Sequence, residues 1–243
     1  MLNLLGKIMN NCNKLTLFFI LFTYSSLNWA DANTKADYQS FIPKNWKVIR
    51  KVQGDLNGDK QPDLALIIEN TDPKNIMANG NLDGTELNLN HRKLLILFKN
   101  SQAYRLVASN STLPSESDQE SPRLSDPLEE EDSLSIKNGQ IKITLNYSWS
   151  CGSWYKADYI FTFKYQNQYL KLVNYDAYYF NHGSTRTYTR SFNFLTEKIK
   201  NTSENTSGGR EFENQDQAKQ ISWSKLKNSN SLKLEQINFK DYI

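Results

Sequence analysis

The chain has 243 residues and a formal net charge of +3, from 29 basic and 26 acidic residues. Hydrophobic residues make up 38% of it and the mean hydropathy is -0.66, values that exclude a polytopic membrane protein. Aromatic residues make up 12%, too many for a wholly disordered chain, because large rings supply burial that offsets the entropy of ordering. The nearly balanced charge gives no indication of a nucleic-acid or polyanionic partner.

Residues 1–32 are predicted to be a signal peptide. Lys7 and Lys14 precede an apolar run over 15–27 that is too short to span a bilayer, which needs about 20 residues. Ala30-Asp31-Ala32 then offers small residues two apart, as signal peptidase prefers. The alternative is an N-terminal membrane anchor. We expect a mature chain, 33–243, that is periplasmic or secreted and has no membrane span.

Export constrains how the mature chain is stabilised. Cys151 is the only cysteine after residue 32, so an intrachain disulfide is excluded. An exported protein without a disulfide must rely on its core, on a bound ion, or on both.

Along the mature chain the apolar residues recur with a period of two. Segments 64–68 and 93–98 are almost wholly apolar, which is typical of strands buried on both faces. Roughly alternating patterns or β-branched and aromatic residues indicate further strands at 46–52, 104–107, 134–137, 141–145, 159–165, 169–173 and 187–194. Tight turns are predicted near 100–102, at Asn138-Gly139 and at 166–168. Asn-Gly is the strongest of these signals, because both residues accept the positive φ of a type I′ turn.

The sequence therefore predicts an all-β fold with little helix. We expect an antiparallel meander, sandwich-like or partial propeller-like, with short helical pieces near 38–42 and 217–226. Polar stretches near 110–132 and 201–219 are predicted to be flexible loops within a single β-rich domain. The first is long for a compact domain, so it is either functional or mobile, and a domain boundary there is the alternative.

An oxygen-rich loop lies between the first two strong strand candidates. Asp55, Asn57, Asp59 and Asp63 occupy loop positions 1, 3, 5 and 9, and the backbone carbonyl of Gln61 occupies position 7. Calcium takes six to eight oxygen ligands, which carboxylates, an amide oxygen and a carbonyl supply. Zinc would prefer His or Cys, which the loop lacks. The pattern predicts Ca²⁺ binding, with an ordinary Asp/Asn/Gly turn as the alternative.

Segment 48–68 resembles the calcium loops of FG-GAP or VCBS repeats, including the single-copy form in small exported bacterial proteins of unknown function. The resemblance implies that Asp55, Asn57, Asp59 and Asp63 bind calcium through their side chains and Gln61 through its carbonyl. Position 6, usually glycine in that family, is Lys60, and the Phe-Gly and Gly-Ala-Pro pieces are missing. One good copy does not make a propeller, since repeat folds need several units. Asn79, Asn81, Asp83 and Glu86 echo the spacing only vaguely.

No catalytic arrangement is predicted from the sequence. Cys151-Gly152-Ser153-Trp154 is similar to the papain-like nucleophile motif but lacks its second cysteine, so Cys151 is predicted to be a structural thiol. Of the two histidines, His91 and His182, the second precedes Gly183 and indicates a turn.

These patterns favour a non-enzymatic binding protein of the cell envelope whose fold one calcium loop stabilises. An exported hydrolase or hydrolase inhibitor is the alternative. The partner would be a protein or a glycan, and an aromatic set could form its platform, although alternate members are expected simply to fill the core. That set comprises Trp149, Trp154, Tyr155, Tyr159, Tyr175, Tyr178, Tyr179 and Tyr188.

Overall fold

The strands of this chain belong to two large antiparallel sheets and one small one. The computed structural model describes residues 34–78, 86–116, 126–149, 155–181, 186–205, 219–227 and 231–242. The strands found there are β1 Thr34–Lys35, β2 Trp46–Gly54, β3 Asp63–Asn70, β4 Ile76–Ala78, β5 Glu86–Asn88, β6 Arg92–Asn100, β7 Ala103–Leu113, β8 Leu134–Lys137, β9 Gln140–Trp149, β10 Tyr155–Gln166, β11 Tyr169–Asn181, β12 Arg186–Asn193, β13 Lys198–Asn205 and β14 Gln220–Lys225. The helices of this part of the chain are single 3-10 turns at Tyr38–Phe41, Pro73–Asn75, Glu131–Ser133, Leu234–Gln236 and Phe239–Tyr242.

The first large sheet has the strand order β1-β7-β6-β3-β2 and supplies one half of the core. Its strand β3 is buried on both faces, as its continuous apolar run predicts. Ala65 and Ile67 belong to the main core shared with the second sheet. The alternate residues Leu64, Leu66 and Ile68 pack instead against an outer cluster that includes Tyr38, Phe41 and Ile42. The segment before β2 thus covers the outer face of this sheet.

The second large sheet is a seven-stranded meander in the order β14-β13-β12-β11-β10-β9-β8. Its strands β9 to β11 alternate as expected, and every second residue enters the main core. The 3-10 turns near the C-terminus close that core, where Phe239 and Tyr242 contact the ring of Phe161 edge-on at 4.9 and 5.3 Å. The two sheets therefore pack face to face around a shared core, and the predicted all-β antiparallel class is confirmed.

Turn chemistry sets three of the hairpins that join these strands. Asn138 and Gly139 have φ values of 54° and 70°, which is the type I′ geometry that Asn-Gly favours. Asn167 and Gln168 adopt positive φ values of 51° and 68° between β10 and β11. Ser101 has φ 51° between β6 and β7. The hairpins predicted near 100–102, 138–139 and 166–168 are all present.

The predicted loop boundaries need correction. Strand β7 continues to Leu113, and Leu128 is 1% exposed in the main core, so both ends of segment 110–132 are anchored. Residues 198–205 form β13, which shortens the second predicted loop from its start. The helix predicted over 217–226 is wrong, because residues 220–225 pair with β13 as strand β14. Cross-strand hydrogen bonding overrides a weak helical pattern there.

A buried charge network joins the first sheet to the segment after residue 125. Arg92 Nε lies 2.8 Å from Glu69 Oε2 across the β3–β6 ladder, and each side chain is 2% exposed. The two terminal nitrogens of Arg92 bind Asp126 at 2.6 and 2.8 Å. The other Glu69 oxygen accepts from Lys47 and Asn88. A buried cation and its two carboxylates are therefore mutually satisfied.

The described strands lie in one compact unit that runs from Ala32 to the C-terminus. In the part of the chain that the structure describes, no helix is both long and apolar enough to cross a membrane. The predicted signal peptide lies outside the described residues and stays a prediction, as does localisation.

Candidate functional site

The loop between β2 and β3 is curled around its own side chains. Both carboxylate oxygens of Asp55 accept backbone N–H bonds, from Gly58 at 2.7 Å and from Lys60 at 2.9 Å. Asn57 Oδ1 accepts from the N–H of Asp59 at 2.9 Å, and Asn57 Nδ2 donates to Asp59 Oδ2 at 3.0 Å. These are the local turns that Asp and Asn side chains form with nearby backbone, so positions 1, 3 and 5 share one concave loop.

Two residues of the loop adopt the left-handed conformation that this curl requires. Gly58 has φ 84° and Lys60 has φ 65°. Lys60 stands at the position where the resembling family has glycine, and it adopts that conformation despite its side chain. Gln61 donates its N–H to Asp59 Oδ1 at 2.8 Å, while its side-chain oxygen accepts from Ser101 N–H at 2.9 Å. The far end of the loop is thereby attached to the β6–β7 turn.

Asp63 links the loop to strand β6 of the first sheet through hydrogen bonds. It is 0% exposed; its Oδ2 accepts from Leu56 N–H and its Oδ1 from Lys99 N–H, both at 2.9 Å. Burial raises the pKa of this carboxyl above its ordinary value, and the charges of Asp59 and Asp55 act in the same direction. The two backbone hydrogen bonds oppose that rise. Asp63 is therefore a buried structural residue, and its carboxylate interacts electrostatically with those of Asp55 and Asp59.

The β8–β9 hairpin closes the opposite side of the loop. A methyl group added at Gly54 would lie 2.5 Å from Ile136 Cγ2, and one added at Gly139 would lie 3.8 Å from the carbonyl oxygen of Asp55. The base of the loop thus rests against the second sheet, and a side chain at residue 54 would displace Ile136. This contact couples the loop to the packing of the two sheets.

The oxygen donors of the loop fit a hard cation in chemical type. Asp55, Asn57, Asp59 and Asp63 offer only oxygen acceptors and one amide, and each bonded carboxylate oxygen retains a second lone pair. Among the described residues, however, no group of three or more His, Cys, Asp or Glu side chains stands close enough together to hold a metal ion. Gln61 presents its side chain to Ser101. The hydrogen bonds of the loop therefore also fit the alternative of an ordinary turn formed by Asp and Asn side chains.

Members of the predicted aromatic set lie in different places. Tyr159 and Tyr175 are 4% and 7% exposed and belong to the core, whereas Tyr155, Tyr179 and Tyr188 are 40–45% exposed. Burial raises the pKa of both Tyr159 and Tyr175. Alternate members of the set therefore fill the core, as expected, and the described members do not form a single exposed platform. The side chains of Trp149 and Trp154 lie outside the described residues, as do Cys151, His182, Asn79, Asn81 and Asp83.

A groove of about 460 Å³ lies on strands β11 to β14. Two of its rings, Tyr179 and Tyr188, are direct cross-strand neighbours in the β11–β12 ladder. The other side chains that alternate to this face are polar or cationic: Arg190, Asn201, Ser203, Gln220 and Ser222. Sequence analysis identified the two tyrosines but missed these five. Their period-two spacing was readable, but only the strand register brings them together.

Comparison of the chain with protein-family models, with curated proteins and with solved structures finds no match.

Proposed function

We propose that this chain is an exported β-rich binding protein whose β2–β3 loop holds one structural calcium ion. Asp55, Asn57, Asp59 and Asp63 would supply side-chain oxygens and Gln61 its carbonyl. The resemblance of the loop to FG-GAP and VCBS calcium loops supports this proposal. The observation that carries it is the curl of the loop, in which alternate side chains share one concave side.

The ion would act on packing as well as on the loop. The loop is fixed at three points: Asp63 to Lys99, Gln61 to Ser101, and Gly54 against Ile136. A cation between the loop carboxylates would offset their mutual repulsion and hold strands β2 and β3 in register. It would thereby stabilise the contact between the two sheets.

The binding role is supported by the groove on β11 to β14. Its rings, amides and hydroxyls offer apolar faces together with donors and acceptors, a combination typical of ligand sites. The partner would be a protein or a glycan outside the cytoplasm.

Thermal unfolding of the mature chain in chelator and in millimolar calcium tests the metal site. A ligand that binds only the folded state raises the midpoint in proportion to ln(1 + [L]/Kd). We expect calcium to raise the midpoint of the wild type and of the control Asp132→Ala, an exposed aspartate outside the loop, but not that of Asp59→Ala. Equal midpoints of the wild type with and without calcium would contradict the calcium proposal.

A further inference from the structure

Among the described residues, burial of one face of the seven-stranded sheet decreases towards β14. The main core extends across β9, β10 and β11 and reaches β12 only at Phe192, where the ring packs 5.5 Å from Tyr175. Further along the same face, Tyr179 and Tyr188 are 40% and 45% exposed. Strand β14 is exposed along its whole length. The groove is therefore the solvent-facing extension of the core face.

The side chains of this face form two rows across the sheet. Strand register places Arg190 opposite Asn201 and Asn201 opposite Ser222. The second row, two residues further along each strand, comprises Tyr179, Tyr188, Ser203 and Gln220. Neighbouring strands are about 4.8 Å apart and the rows about 7 Å apart, which are the dimensions of a few pyranose rings. One row carries aromatic rings and the other carries the cation.

The described carboxylates of this part of the sheet lie on the face opposite the groove. Arg186 and Arg190 alternate to the groove face with Tyr188, whereas Asp158, Asp176 and Glu204 alternate to the opposite face. Glu204 is there paired with Lys219 at 3.0 Å. Within the described residues no carboxylate shares the groove face, and Arg190 has no ion pair. Among the described residues, the groove face therefore presents the Arg190 cation without a carboxylate beside it, whereas the opposite face carries both acids and lysines.

Two groove residues are held in place before any ligand arrives. The ring of Tyr179 packs edge-on against the buried Tyr159 at 5.9 Å, and the two phenols interact through a hydrogen bond. The Arg190 guanidinium stacks over Phe192 at 4.9 Å. Preorganised rings and cations lose little freedom on binding, which favours affinity.

We propose that this groove binds an acidic oligosaccharide, with Arg190 pairing a sugar carboxylate and Tyr179 and Tyr188 receiving the apolar faces of the sugar rings. The arginine fork matches a carboxylate in two parallel hydrogen bonds. Asn201, Ser203, Gln220 and Ser222 provide both donors and acceptors, which sugar hydroxyls require. An acidic peptide is less well matched, since a peptide strand would pair with the open edge of β14 through its backbone. The inference rests on the proposed binding function and names its partner class.

Calorimetric titration of the mature chain with trigalacturonate tests the proposal, with maltotriose and hexaglutamate as the neutral and peptide probes. We expect binding of trigalacturonate only. Arg190→Gln, which removes the charge, should weaken that binding about tenfold or more, as the loss of a charge-assisted pair does. Tyr188→Ala should weaken it as well. The control Lys200→Gln removes a cation from the opposite face, where Lys200 lies over Trp223, and should leave the affinity unchanged.

Three outcomes would overturn the inference. One is no binding of trigalacturonate by a folded wild type, another is equal binding of maltotriose, and the third is equal binding of hexaglutamate. If Arg190→Gln fails to fold, Tyr188→Ala carries the test, and unchanged affinity of that variant for trigalacturonate would count against the groove. The thermal unfolding experiment with calcium is independent of this titration. Binding of trigalacturonate without a calcium-dependent rise in the unfolding midpoint would contradict the calcium site but support the groove. A calcium-dependent rise without binding of trigalacturonate would support the calcium site but contradict the groove.

Discussion

Arg92 and Glu69 face each other across the β3–β6 ladder with 2.8 Å between Nε and Oε2, and both side chains are 2% exposed. The pair is charged, buried and placed at the point where two adjacent strands end their pairing. Asp126 completes the pairing of the guanidinium from a segment 34 residues further along the chain. The network therefore ties the first sheet to the connection that leads to the second.

Replacement of Arg92 should lower the free energy of unfolding substantially. Arg92→Leu leaves the buried carboxylate of Glu69 with the exposed Lys47 as its counter-charge, and loss of one partner of a buried pair destabilises by about 3–5 kcal/mol. Urea unfolding measures the difference in free energy of unfolding. The control Arg105→Leu changes an exposed arginine of β7 and should stay within about 0.5 kcal/mol of wild type. A loss below about 1 kcal/mol for Arg92→Leu would show that the network contributes little.

Acidification should lower the free energy of unfolding because it protonates Glu69. Burial, the largest influence, raises the pKa of Glu69, but hydrogen bonds from Lys47 and Arg92 and the Arg92 charge outweigh it, so the pKa lies below its ordinary value of 4.5. A lowered pKa contributes stability that is present above the unfolded-state pKa and is lost as pH falls through the folded-state pKa. We expect the urea midpoint of wild type to fall progressively below pH 4.5.

Substitution separates Glu69 from the other acids in that pH range. Glu69→Gln should be less stable at neutral pH and should lose less stability on acidification, because the titrating group is gone. Glu235→Gln, an exposed acid near the C-terminus, should follow the wild-type profile. Identical acid profiles for wild type and Glu69→Gln would contradict the assignment.

Gly54, where the loop begins, and Gly58, within the loop, should respond differently to alanine. Gly54→Ala places a methyl group 2.5 Å from Ile136 Cγ2, so we expect an overpacking loss of about 1–3 kcal/mol. Gly58→Ala has open space but keeps φ at 84°, so its loss of about 1 kcal/mol is purely conformational. Adding Ile136→Ala should relieve part of the first loss and none of the second, as a double-mutant cycle in urea would show. Additive effects at 54 and 136 would refute the steric explanation.

Asp63 should stabilise the folded state whether or not the loop binds an ion. Asp63→Ala leaves the N–H groups of Leu56 and Lys99 without their acceptor, at about 1–3 kcal/mol for each buried group, so unfolding should be easier even in chelator. The exposed Asp59 should have only a small effect in chelator when it is replaced by alanine. Equal free energies of unfolding of Asp63→Ala and Asp59→Ala in chelator, measured with urea, would contradict this structural role of Asp63.

Local chemistry explains why the fold class was predictable. A period of two over short segments needs only that alternate residues enter a core, and the apolar run of β3 indicates burial on both faces before any partner is known. Asn138-Gly139 accepts a positive φ at both positions, so its hairpin was predictable from two residues. The helix predicted over 217–226 failed because pairing with β13 outweighs a weak local preference.

The candidate sites were less predictable because they depend on residues far apart in the chain. The spacing of Asp55, Asn57, Asp59 and Asp63 was readable as one loop. That Asp63 is wholly buried and accepts from Lys99 follows only from the alignment of β3 with β6. The groove combines strands β11 to β14, and the nearly balanced net charge of the chain gave no indication of its arginine, Arg190.

The amino-acid sequence by itself indicated strands β2, β3 and β6 to β12, three of the turns and the oxygen-rich loop, because each depends on neighbours within a few residues. It did not indicate β13 and β14, whose pairing depends on the rest of the sheet. Only the tertiary structure decided which side chains of β12 to β14 share the groove and which charges meet. Register aligns Arg190 with Asn201 and Glu69 with Arg92, and a shift of one residue would send each side chain to the opposite face. The physical reason is that pairing between strands is set by the whole core and not by any one segment.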